Sequence, residues 1–184
     1  MKSLGKLHLD KLKGGISGIS RNYGAFLAEA IVVCLTAAGH VSSVKLKAEG
    51  DFDAEFELEW QEEIGAAELS SWRDLKEATE YAAMGLAVLL ISALTIYGVF
   101  QRNEQGEDAD FTMQEVSDPN IVLKGIVQRA HLEVSGIFAE SLTNTLNMRI
   151  TAKTKGLEKR VIPSLPVFIA VIEFSIPKAK IVEI

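Results

Sequence analysis

At 184 residues, with 48% hydrophobic and 24% charged side chains, the chain has the composition of one folded domain and not of a disordered segment. Its single cysteine, Cys34, excludes an intramolecular disulfide framework and sits in an apolar run (AIVVCL), as a small buried hydrophobe of a reducing, cytoplasmic setting does. A net charge of −6 argues against a dedicated nucleic-acid binder, but the charge is uneven: residues 51–118 carry 17 acidic and three basic side chains, residues 149–184 seven basic and three acidic.

In chain order, residues 1–20 are rich in lysine and glycine and only weakly patterned. Leu4, Leu7, Leu9 and Leu12 can dock a short segment, while GGISGIS breaks any long helix, so this part reads as an arm or irregular cap. It holds no unbroken apolar stretch of the kind a signal peptide needs, and His8 within it reads as a surface residue. Residues 21–184 read as a single domain with its core at about 72–184. Asn22 to Ala38 has helical periodicity, with Ser20 placed to cap its start and Gly39 its end; His40 then falls at the helix end. Val41 to Trp60 alternates apolar and charged residues, predicting a half-buried antiparallel hairpin in which Lys45 and Lys47 oppose Glu55, Glu57 and Glu59.

Ser71-Trp72-Arg73-Asp74 has capping-box spacing, which predicts a helix from Trp72 to about Ala93. The twenty residues Tyr81–Phe100 carry no charge and are long enough to span a membrane. Their second half is β-branched and aromatic, the small residues Ala82, Ala83, Gly85, Ala87 and Ala93 suit close packing, and no Lys/Arg cluster flanks them. The stretch is therefore read as a buried helix followed by a buried strand, broken near Leu94, in a soluble protein. Beyond it come a polar turn (101–108), a strand (Asp110–Val116), a turn at 117–120, a mixed segment ending in a strand (Ala130–Ile137), and a helix (Ser141–Lys155) that carries Leu142, Leu146 and Ile150 and stops at Gly156. A proline-framed loop (Pro163, Pro166), a continuous apolar strand (Val167–Ile172) and a last edge strand (Ala179–Ile184) complete the chain. The expected class is α/β (α+β): a mixed sheet flanked by helices, with an added N-terminal helix and hairpin.

No P-loop, G-x-G-x-x-G, zinc-ligand spacing or G-x-S-x-G elbow is present. From Trp72 the order is helix, strand, strand, strand, helix, strand, with Asp110 (GEDADF) opening the second strand and Glu133 (HLEVSG) within the third. This layout resembles the restriction-endonuclease-like PD-(D/E)XK superfamily, and EATEYAAMGLAVLLI, HLEVSG and PVFIAVIEFS are similar to segments of a group of bacterial proteins. The resemblance, which covers about residues 72–176, implies that Asp110 and Glu133 bind Mg²⁺, that Glu77 or Glu80 adds a helix ligand, and that a lysine two residues after the glutamate activates water for phosphodiester hydrolysis. Ser135 stands where that lysine belongs; the resemblance allows Lys153 or Arg149, on the next helix, to replace it. The plainer reading makes Asp110 a turn former and Glu133 a solvent-facing residue beside His131, its potential hydrogen-bond partner.

Three functions follow as expectations: a divergent nuclease-like domain acting on nucleic acid, active or degenerate; a non-catalytic binding or structural subunit, as a homo-oligomer or with a protein partner; and a membrane-associated protein using residues 81–100.

Overall fold

A computed structural model describes residues 2–61, 64–104, 109–116, 128–158 and 165–184. The turn residues 105–108 and 117–120, the mixed segment to 127 and the loop residues 159–164 lie outside this set. The elements in chain order are β1 (Lys2–His8), α1 (Asp10–Lys13), α2 (Arg21–Ala37), β2 (Ser43–Gly50), β3 (Ala54–Glu59), α3 (Ala66–Ser71), α4 (Leu75–Leu94), β4 (Tyr97–Arg102), β5 (Phe111–Glu115), β6 (Arg129–Ile137), α5 (Leu146–Glu158), β7 (Val167–Glu173) and β8 (Lys178–Glu183). The chain is a mixed α/β protein: among the described residues one eight-stranded sheet runs β1-β3-β2-β8-β7-β6-β5-β4, flanked by helices, with α2 and the β2–β3 hairpin ahead of the core.

Local signals set several elements where they are expected. The Ser20 hydroxyl accepts from the Tyr23 N–H at 3.2 Å, and Gly39 takes φ +86° after the last turn of α2. The hairpin pairs Lys45 with Glu57 and Lys47 with Glu55, and Lys45 Nζ lies 3.2 Å from Glu55 Oε1. The helix–strand break comes at Thr95, whose backbone is extended. Its hydroxyl donates to Ile91 O and accepts from Tyr97 N–H, turning the chain into β4. α4 is long and apolar enough to cross a membrane by length and composition. The charge-free stretch nevertheless divides between this helix and a sheet strand, and Ala78, Ala82, Leu86 and Leu90 of α4 are buried in the core.

Four expectations are corrected. The first twenty residues are more than an arm: β1 pairs in parallel with β3, and Leu7, Leu9 and Leu12 are buried. α4 begins after Asp74, which accepts from the Lys76 and Glu77 N–H groups; Ser71 instead ends the short helix α3, its hydroxyl donating to Ala67 O. α5 runs from Leu146 through Gly156 to Glu158, leaving Leu142 outside the helix and 99% exposed. β8 is interior, joined to β7 on one side and to β2 on the other, so it links the hairpin to the core sheet.

One apolar cluster joins α2 and α4 to the strand residues that face them, Phe168, Ala170 and Ile172 of β7 among them. A second lies under α5, where Leu146 and Leu157 meet Val167, Ile169 and Val171. β7 is thus buried on both faces, which accounts for its unbroken apolar run. The outer edge of β4 is covered by the glycine loop after α1: Phe100 N–H donates to Ser17 O at 2.9 Å. At Gly18, φ is +84°, and a Cβ would fall 1.7 Å from Phe100 O; at Gly39 φ is similar but the space around it is empty. Gly39→Ala should therefore cost about 1 kcal/mol, the left-handed penalty alone. Gly18→Ala should cost about 3 kcal/mol because overpacking is added. Urea unfolding of the two variants beside the parent chain measures both.

Candidate functional site

β5 pairs with β6 only over Arg129–Leu132, whereas β7 pairs with His131–Ile137. Past Leu132 no described strand lies on the β5 side of β6, and its edge opens into a cleft of about 550 Å³. α4 contributes Lys76, Thr79, Glu80 and Met84 to the walls, and α5 with its approach contributes Asn144, Arg149 and Lys153. The floor is Val134 to Phe138, and Asp110 stands at the end. Gly136 lets the two elements meet: a Cβ there would lie 2.4 Å from Thr79 O.

Asp110, just before β5, directs its carboxylate along the open edge, and Oδ2 accepts from Val134 N–H at 2.8 Å. That carboxylate takes the place of the ladder partner that β5 no longer supplies. Val134 and Leu132 point into the core, so Glu133 and Ser135 face α5. Glu133 forms an ion pair with Lys153, the two side chains being 13% and 33% exposed. Arg149 donates from Nε to Asn144 Oδ1 at 2.7 Å and from Nη1 to Ser135 Oγ at 3.4 Å. Both acceptors are neutral, and among the described residues no carboxylate pairs with this guanidinium.

Glu77 lies exposed in the first turn of α4, outside the cleft lining, while Glu80 lies within it. His131 does not bond Glu133; its Nδ1 is 3.5 Å from Thr112 Oγ1 on the neighbouring strand. His8 lies 3.4 Å from Glu59, and His40 reaches the carbonyls of Phe174 and Ser175. Cys34 sits behind the cleft wall, 3.8 Å from the Thr79 hydroxyl, and burial pushes its thiol up to about 12, which leaves it inert at neutral pH. At the rim, the Arg102 guanidinium lies 5.3 Å over the Phe111 ring and donates to Met84 Sδ, to which the Tyr23 hydroxyl also donates. Of these neighbours the sequence pattern signals Arg149 and Lys153; Lys76, Met84, Asn144 and Arg102 reach the site only through the packing of separate elements.

The donor set fits a divalent ion poorly. Among the described residues no group of three or more His, Cys, Asp or Glu side chains gathers where an ion could be held. Glu133 is engaged by an ammonium and Asp110 by a backbone N–H. No family model matches the chain, and neither a curated protein nor a solved structure is similar enough to it to count as a match.

The α5 wall is anchored by Glu140, which accepts from Leu146 N–H at 2.6 Å and from Lys178 Nζ of β8 at 2.5 Å. The Lys178 hydrogen bond first, and the Leu146 N–H second, hold the Glu140 carboxyl below its ordinary 4.5. A carboxylate depressed by folding adds stability that is complete above its unfolded value and is lost as pH falls through the folded one. Lys178 is raised above 10.5, chiefly by the same hydrogen bond, so the pair persists across neutral pH. Both side chains are partly wet, so Glu140→Gln should cost about 1 kcal/mol at pH 7. The difference in melting temperature from the parent should shrink as pH drops below 4.5, and melts at a series of pH values measure this.

Proposed function

We propose that the chain is a divergent restriction-endonuclease-like domain whose cleft binds a phosphodiester-bearing ligand, a nucleic-acid strand, without cleaving it. The order α4-β4-β5-β6-α5-β7 supports the likeness: β4, β5 and β6 are antiparallel neighbours and β7 runs parallel to β6. The observation that carries the ligand is Arg149. Its guanidinium is positioned by two neutral acceptors, so it lines the cleft with no carboxylate partner among the described residues. A planar guanidinium suits a phosphate, and such a contact reads no sequence.

A second reading, Mg²⁺-assisted hydrolysis through Asp110 and Glu133, is favoured by the seat of Asp110 on Val134 N–H, one residue along β6 from Glu133. It requires Glu133 to exchange Lys153 for a metal. Fluorescence anisotropy with labelled single- and double-stranded DNA and RNA tests the first reading. Arg149→Ala should weaken binding about tenfold, as loss of a charged hydrogen bond does, and lower the salt slope by about one. Binding that is unchanged in Arg149→Ala overturns the reading, and no binding at all favours a structural subunit. Cleavage of the same probes with Mg²⁺ or Mn²⁺, lost in Asp110→Asn, would establish the second reading; asparagine retains an acceptor for Val134 N–H, so the fold is spared.

A further inference from the structure

We propose that Lys153 stands in for the divalent cation: its ammonium is the positive charge Glu133 is built to hold, and the cleft works without a metal. The inference rests on the nuclease-like reading of the core. Its test reads metal binding, not nucleic-acid binding, so the two can fail separately.

A glutamate side chain only 13% exposed needs a positive partner or a proton. Lys153 supplies the partner from the facing helix, its stem descending from solvent to the strand. The other acids are not arranged to complete a metal site with Glu133. One Asp110 oxygen is committed to Val134 N–H, Glu80 is exposed on α4, and Glu77 lies outside the cleft. A Mg²⁺ or Mn²⁺ ion ligated by Glu133 would lie against the ammonium, so the two cations compete for one carboxylate. Linkage makes the competition reciprocal: removing the lysine charge must raise the affinity of Glu133 for metal. Arg149, held apart on Ser135 and Asn144, stays available to a ligand while Lys153 is occupied by Glu133.

The experiment is Mn²⁺ binding by isothermal titration calorimetry to the full chain and to Glu133→Gln, Lys153→Met, Lys153→Arg and the double variant Glu133→Gln/Lys153→Met. The expected result has three parts. The parent chain and Lys153→Arg show no binding that depends on Glu133. Lys153→Met gains Mn²⁺ affinity by at least about tenfold, the scale on which a carboxylate's partners alter metal affinity. The double variant loses that gain. Mn²⁺ binding by the parent chain that disappears in Glu133→Gln overturns the proposal, as does a folded Lys153→Met that gains nothing. Thermal melts report whether each variant is folded; should Lys153→Met unfold, the comparison of parent with Glu133→Gln decides the question alone.

Discussion

Every residue of β7 is buried, and a strand without a wet face demands cover on both sides of its sheet. α4, with α2 against it, covers Phe168, Ala170 and Ile172; α5 covers Val167, Ile169 and Val171. α5 also has to be a crossover, because it joins two parallel strands, β6 and β7. Two helices on opposite faces therefore overhang β6, and β5 stops short along it. The cleft follows from these three facts. Its width is set at Gly136, where any side chain would push α4 off the sheet.

The same site shows how structural and chemical demands compete for one set of polar groups. Asp110 replaces a missing ladder partner and Glu133 neutralises an ammonium, so each carboxylate satisfies a neighbour that would otherwise be costly to leave unpaired. A half-buried ion pair offers little net stability, because desolvation offsets much of the Coulomb attraction. Breaking one is costly all the same, since it strands the surviving charge. Glu133 and Lys153 are therefore held together more by what would follow their separation than by what their union contributes. Arg149 is different: among the described residues its partners, Asn144 and Ser135, orient it without cancelling its charge.

Where the signals were local, the sequence could be read. Ser20 and Gly39 delimit α2, the alternation of lysines and glutamates defines the β2–β3 hairpin, and the shift to β-branched residues after Leu94 separates α4 from β4. The errors come where long-range pairing decides. Leu7 and Leu9 alternate over too few residues to announce β1, whose partner β3 lies some fifty positions on. β8 looks like an edge because its own residues cannot show that β2 waits on its far side. Gly156 lies open on its helix, where an added Cβ would meet no neighbouring element, so the helix passes through a residue that more often ends one. At the site, the order of Asp110 and Glu133 along neighbouring strands was visible, but the engagement of Glu133 by Lys153 depends on how α5 sits across the sheet. The choice between Glu77 and Glu80 likewise turns on which side of α4 faces the cleft.

Part of the uneven charge of the chain is answered within the fold. On the hairpin face, Lys6 of β1 approaches Glu57 and Glu59 of β3, and Lys45 of β2 approaches Glu55. The acidic middle is thus partly answered by lysines on adjacent strands, each pair a modest, salt-sensitive contribution. In the basic tail, Lys153 is taken by Glu133 and Lys178 by Glu140. Counting charges along the sequence therefore overstates the field that a ligand would meet. What matters is the cation left over after neighbours have paired. Among the described residues of the cleft walls, neither Lys76 nor Arg149 is paired with a carboxylate, and Arg149, held on Asn144 and Ser135, stands over the strand edge where β5 has ended. A net negative protein can in this way offer an anion a local positive contact, because screening confines each exposed charge to roughly its own ten ångströms.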